Sequence, residues 1–155
     1  MLISQTIANL NTLFKKLSNF IFMKPYRTYS FEKLAAWQLA REIRLELYLH
    51  SQSFPKEEIY GLTSQLRRAI HSVSTNLAEG SGRISNSDKA HFTNIAYSSA
   101  LEAIELLISA FDLGFLSNDN YHQARLKMDG LLAMLNSLYK YQLSCESDLK
   151  AKFRE

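Results

Sequence analysis

The chain has 155 residues, 46% of them hydrophobic and 21% charged, which suits one soluble globular domain and excludes both a disordered chain and two full-sized domains. Five Gly and two Pro leave little material for sheet turns, and the lone cysteine, Cys145, excludes an intrachain disulfide or a Cys-based metal site and makes a reducing cytoplasm the simplest home. The net charge of +3 is uneven: residues 1–30 hold Lys15, Lys16, Lys24 and Arg27 with no acid, residues 31–142 hold eleven bases against twelve acids, and 143–155 hold three of each. The bulk charge of 31–142 therefore does not argue for phosphate binding, although a local basic patch is compatible with it.

Residues 1–30 read as an N-terminal extension. No basic run precedes its apolar residues and no small-residue cleavage site follows them, so it does not read as a signal peptide. Lys15 and Lys16 interrupt the apolar run, so a membrane-spanning helix is not expected. Ile3, Ile7, Leu10, Phe14, Leu17 and Ile21 fall at helical steps. Either this is an amphipathic helix that docks on a partner or a membrane surface, or translation starts at Met23.

Four helical segments follow in 31–142. The first is expected from about Phe31 to Gln52, with Ser30 as N-cap. The second is expected from Pro55, with Glu57 and Glu58 at its positive dipole end, to about Glu79, stopped by Gly80 as C′ residue. The third follows the cap signal Ser85-Asn86-Ser87-Asp88 and runs to Leu113, stopped by Gly114. The fourth starts at Ser117-Asn118-Asp119 and runs to about Gln142, and 143–155 form a tail that extends it or frays. Helices of this length joined by short loops predict an all-α, antiparallel up-down-up-down four-helix bundle.

The second segment carries the most information. Ile59, Leu62, Leu66, Ile70, Val73 and Leu77 make one apolar face. Beside it run Gln65, Arg68, Ser72, Asn76 and Glu79, also at steps of three and four. The structural reading is a buried polar seam in which Arg68 and Glu79 pair with Glu102 or Glu105 of the third helix, and Asn76 and Ser98 complete the hydrogen bonds. The functional reading gathers Arg67, Arg68, Arg83 and Lys89 near the loop between helices two and three, as phosphate contacts. Arg67, Arg83 and Lys89 are its nucleic-acid candidates.

The third segment has two apolar stripes about 100° apart. Ala96, Ser99, Ala103, Leu106, Ala110 and Leu113 form one, and Tyr97, Leu101, Ile104, Ile108 and Phe111 the other. Two stripes exceed the need of one bundle core, so the second is the candidate subunit interface.

Catalytic patterns are thin. None of His50, His71, His91 and His122 has the Glu three positions earlier that a ferritin-like di-iron site uses, although Asp88 and Asp119 stand there before His91 and His122. Glu46 and His50 read as a surface pair. Cys145 lies without a nearby His, and Gly80-Ser81-Gly82 lacks the Lys-Ser/Thr ending of a phosphate loop. No enzyme activity, metal or cofactor is expected. Tyr26, Tyr29 and Phe31 near Lys24 and Arg27 make a basic-aromatic mix usable for base stacking, although core anchoring by Phe31 and Trp37 is the commoner role.

Between Phe31 and Tyr141 the chain resembles the four-helix bundle family of 23S rRNA intervening-sequence proteins. The resemblance rests on Phe31 with Leu34 and Trp37, the Phe54-Pro55 entry, Tyr60-Gly61-Leu62, Gln65 with Arg67-Arg68, Ser72, Asn76, Ala78-Glu79-Gly80 and Gly82-Arg83, then Phe92, Ile95-Ala96, Ser98 or Ser99, Glu102 and Leu113-Gly114. The family often has Pro where this chain has Ser74, which puts a kink of the second helix in doubt. The resemblance implies an antiparallel bundle assembled as a ring of five, with no established enzymatic activity. The related accessory proteins of diversity-generating retroelements form basic pentamers that bind a reverse transcriptase and nucleic acid, a character from which this near-neutral core departs. Two functions follow as expectations: a non-enzymatic homo-oligomeric scaffold for a protein or ribonucleoprotein partner, or an accessory protein that binds structured RNA. Neither implies integral membrane association.

Overall fold

The computed structural model describes residues 27–152. Four α-helices carry the fold: α1 (Ala35–His50), α2 (Leu62–Ser81), α3 (Asn86–Asp112) and α4 (Asn118–Lys152). No strand occurs among the described residues. Each helix packs on the next and α4 closes onto α1, so the bundle runs up-down-up-down as the sequence predicts. The N-terminal amphipathic stripe, Ile3 to Ile21, lies outside the described residues.

The caps depart from the sequence reading at two starts. The first helix is shorter than 31–52, because Leu34 is extended (φ −72°, ψ 121°) and separates a 3-10 turn, Ser30–Lys33, from α1. Ser30 does not cap it. Instead the Tyr29 N–H donates to Glu32 Oε1 at 2.8 Å. The second helix starts at Leu62, not Pro55. Lys56–Ile59 form a separate 3-10 turn, and the Glu58 carboxylate accepts from the Leu62 N–H at 2.9 Å. Glu58, one of the two acids placed at the dipole end, thus caps α2 from outside it.

The ends of α3 follow the sequence. Ser85 Oγ accepts from the Asp88 N–H at 3.0 Å. Gly114, at φ 74°, supplies the left-handed residue of a Schellman turn, with Phe115 N–H donating to Ala110 C=O at 2.9 Å. Gly80 does not stop α2. It sits inside the helix, where a Cβ would meet Phe92 Cβ at 2.8 Å, so its hydrogen lets α2 and α3 approach closely. α4 continues past Gln142 to Lys152.

The core follows from the periodicity. Ala40, Ile43 and Leu47 of α1 meet Leu66, Ile70, Val73 and Leu77 of α2, and Met128, Leu131 and Leu135 of α4 close the opposite side. α3 contributes mostly small residues, Ala96, Ala100, Ala103 and Ala110, with Leu106 and Leu107. Phe54 packs on Phe115 with ring centroids 5.7 Å apart, sealing one end, and Phe31 meets Trp37 edge-on at 5.1 Å. No helix is long and apolar enough to cross a membrane among the described residues.

Candidate functional site

The polar row of α2 is not a buried seam. Gln65, Arg68 and Glu79 are exposed, and so are Ser98 and Glu102 of α3. The row lies well off the core direction of the helix, so only its short members reach the α2–α3 contact. Ser72 and Asn76 are half-buried there: Ser72 Oγ lies 3.0 Å from Ser99 Oγ, and Asn76 Nδ2 donates to Ser72 O and Oγ at 2.9 and 3.0 Å. Ser99, not Ser98, is the α3 partner. Ser98 back-bonds to Asn94 O at 3.2 Å. The longer side chains extend to water, as long polar side chains do at the edge of an apolar contact. Arg68 makes no ion pair with Glu102. Both instead border one open groove of about 720 Å³. Glu79 pairs with Arg83 of the turn that follows α2.

The nucleic-acid candidates do not converge. Arg67 sits fourteen residues before the end of α2, about 21 Å along the axis, and it is occupied. Its Nε donates to Ser51 Oγ at 2.8 Å, its Nη2 reaches Tyr48 O at 3.5 Å, and its guanidinium lies 5.0 Å from the Tyr48 ring centroid. Half-buried rather than free, it closes the C-terminal end of α1. Arg83 and Lys89 do share the α2–α3 turn. Arg83 lies 4.4 Å over the Phe92 ring, and Lys89 Nζ reaches Asn86 Oδ1 at 3.4 Å.

A different basic surface emerges on the α1–α2 face. Arg44 Nη1 donates to Ser74 Oγ at 3.0 Å across the two helices, and Ser74 Oγ donates on to His71 O at 3.0 Å. Ser74, where the resemblance has Pro, thus serves as an anchor in an unbroken helix. Arg41 is exposed one turn before Arg44 on the same flank of α1. Arg41 and Arg44 thus lie on the flank of α1 that meets α2, and Arg67, Arg68 and His71 border the groove beside Tyr48. Residue spacing alone held half of this signal: Arg41, Arg44 and Tyr48 recur at three and four, but only packing reveals that this flank meets α2.

The opposite flank of α1 is acidic. Lys127 Nζ of α4 bridges Glu42 Oε1 at 2.9 Å and Glu46 Oε2 at 2.6 Å, and Glu46 Oε1 lies 3.6 Å from His50 Nε2. Hydrogen bonds first from Glu46 and then from Glu42 hold the Lys127 ammonium above its ordinary range against a smaller desolvation effect. The Glu46–His50 pair is therefore part of an ionic clip between α1 and α4.

The second stripe of α3 divides. Ile104 is buried in the core, Tyr97 packs against it, and Phe111 stacks on Tyr121 of α4 with centroids 4.4 Å apart. These three interface candidates are taken up by the fold of one chain. Leu101 and Ile108 remain 46% and 39% exposed, one heptad apart. In the first stripe Leu113 departs, being exposed past the end of the helix.

The fold is shared with a solved structure from Bacteroides thetaiotaomicron VPI-5482, a protein of unknown function from the S23 ribosomal protein family. It aligns with a TM-score of 0.63 at 18% identity, covering 68% of this chain and 95% of that one. At this identity the likeness carries the fold. No curated protein matches the chain. The model of the 23S rRNA-intervening sequence protein family matches residues 32–137, which span all of α1 to α3 and most of α4. By that match over more than half its length, the chain belongs to the 23S rRNA-intervening sequence protein family.

Proposed function

We propose that the chain is a non-enzymatic, homo-oligomeric scaffold that holds a protein or ribonucleoprotein partner in the cytoplasm, assembled as a ring of five. The observation that carries this reading is the pair Leu101 and Ile108, exposed on α3 one heptad apart when their neighbours Ala100, Ala103, Ile104 and Leu107 are buried. Apolar side chains repeated at this spacing form a strip that a second helix can cover. Leu101→Asp with Ile108→Asp tests it. The double variant should keep its helical circular dichroism and lose its assembly, because neither side chain belongs to the core. Loss of helicity with assembly would assign the strip to folding instead.

A second reading, an accessory protein that contacts structured RNA of a 23S rRNA intervening sequence or works beside a reverse transcriptase, is favoured by the α1–α2 arginine face. Arg41 and Arg68 are its exposed members without a hydrogen bond or ion pair among the described residues. A ring would repeat the face around its axis. RNA affinity measured against salt tests this: each phosphate contact contributes a slope of about −0.9 or −0.7 in log K against log salt for double or single strands. Arg41→Glu with Arg68→Glu should flatten the slope by about two. An unchanged slope would move any RNA contact to Arg83 and Lys89, and no binding at low salt would leave the scaffold alone.

A further inference from the structure

The groove on the outer side of α2, about 720 Å³, runs from Ile59 and Thr63 at the start of the helix to Thr75, with Tyr48 of α1 and Glu102 of α3 at its rims. Its upstream end gathers donors that the chain itself does not use. Gly61 gives α2 no side-chain cap. Glu58 Oε2 takes the Leu62 N–H and Gly61 O takes the Gln65 N–H, so the Thr63 and Ser64 N–H groups between them have no acceptor among the described residues.

The Thr63 hydroxyl is a third such donor. Thr63 is 5% exposed and lines the groove, and its Oγ1 is buried without a hydrogen-bond partner. Threonines further along the helices back-bond to the carbonyl four residues earlier, Thr75 to His71 O at 3.1 Å and Thr93 to Lys89 O at 3.0 Å. Thr63 stands on the first turn of α2. The residue four before it, Ile59, belongs to the separate 3-10 turn, and its carbonyl does not take the bond. A buried hydroxyl left in this state calls for an acceptor from outside the chain.

Charge favours an anion at the same place. Arg68 is exposed in the groove one turn after Ser64, on the same flank of α2. Side chains of a helix lean toward its N-terminus, so the guanidinium leans back toward the first turn, where the helix dipole is positive. The neighbouring acids do not cancel this. Glu58 is spent on the Leu62 N–H. The Ser72–Ser99 contact puts Glu102 level with Ala69, about 8 Å along the axis from Thr63 and Ser64. Two N–H groups, a hydroxyl and a guanidinium are all donors, and together they suit the three terminal oxygens of a phosphate. Tyr48 and Ile59 border the same groove and leave room beside the phosphate for the organic part of an ester.

We propose that the start of α2 is a binding site for the phosphate group of a phosphomonoester, held by the Thr63 and Ser64 N–H groups, the Thr63 hydroxyl and Arg68. The site goes beyond the RNA reading, because one phosphate suffices for it and Arg41 plays no part.

Equilibrium dialysis of the full chain against radiolabelled inorganic phosphate, at constant ionic strength, tests it. The parent protein should bind one phosphate per chain in the millimolar range or tighter. Thr63→Val and Arg68→Gln should each weaken binding by about tenfold. Thr63→Val should melt no lower than the parent, because the buried hydroxyl it removes has no partner to lose, and it should leave the salt slope of RNA binding unchanged, because it keeps every charge. No phosphate binding by the parent would overturn the proposal, and RNA binding in that same protein would leave the RNA reading standing alone. Phosphate binding indifferent to both variants would also overturn it, as would a lower melting temperature for Thr63→Val, which would mean that the hydroxyl is already satisfied within the chain. Displacement of the label by a terminally phosphorylated oligoribonucleotide, and not by its dephosphorylated twin, would uphold the site and identify an RNA end as the source of the phosphate. Displacement by neither would uphold it for a small phosphate ester.

Discussion

Arg67 donates from Nε to Ser51 Oγ and covers the Tyr48 ring, whereas its neighbour Arg68 borders an open groove without a partner. One step of 100° around α2 separates a structural arginine from a free one. Arg67→Ala removes a charged hydrogen bond at the C-terminal end of α1 and should cost about 1–2 kcal/mol. Arg68→Ala should change stability by no more than about 0.5 kcal/mol, as surface substitutions do. Urea melts of the two variants check the contrast, and a larger loss for Arg68→Ala would restore a buried partner for it. The sequence could not separate the two. Both flank the apolar face, and a polar row at helical spacing looks the same whether it is buried or solvated. Ser72 and Asn76 went inside because they are short, and Gln65, Arg68 and Glu79 went outside because they are long enough to reach water.

At the scale of elements, the chain's own chemistry made much of the bundle legible. Ser85 and Gly114 bound α3 where cap and left-handed turn signals place them, and the apolar steps from Leu62 to Leu77 face the core. The start of α2 differs because acids near a helix start can cap the helix from a preceding turn as well as from within it, and Glu58 does the former, whereas α1 starts late because Leu34 is extended. Gly80 was misread likewise, because local sequence cannot show that Phe92 of the next helix presses on it. Gly80→Ala should therefore destabilise. The gain of about 1 kcal/mol in helix propensity is outweighed by overpacking, typically about 1–3 kcal/mol. A thermal melt showing Gly80→Ala to be stabilised would contradict the close α2–α3 approach.

The clip between α1 and α4 makes a pH prediction at the same scale. The folded pKa of Lys127 lies above its ordinary 10.5 because Glu46 and Glu42 hold the ammonium. A group raised on folding contributes stability fully below its unfolded pKa and loses it as pH rises through the folded value. The Lys127 contribution should thus be constant across neutral pH and decline only above about 10.5. Lys127→Met should remove that alkaline decline while leaving the shape of the neutral region unchanged. A difference between the two proteins that varies between pH 6 and 9 would show that the clip is not what Lys127 contributes.

For the whole molecule, three surfaces divide the outside of one bundle: an arginine-bearing face on α1–α2, an apolar strip on α3, and the Glu42–Glu46–Lys127 clip on α1–α4. Bulk composition concealed the first, because the acids that balance its charge lie on other flanks, Glu42 and Glu46 among them. It is this segregation, rather than net charge, that suits a body touching different partners on different sides. The central claim is that copies of the chain meet through Leu101 and Ile108. Light scattering coupled to size exclusion at micromolar concentration measures it most directly. The account predicts five times the 17.8 kDa chain mass for the parent protein, and a still-helical single chain for Leu101→Asp with Ile108→Asp. A clean single-chain mass for the parent protein would contradict it.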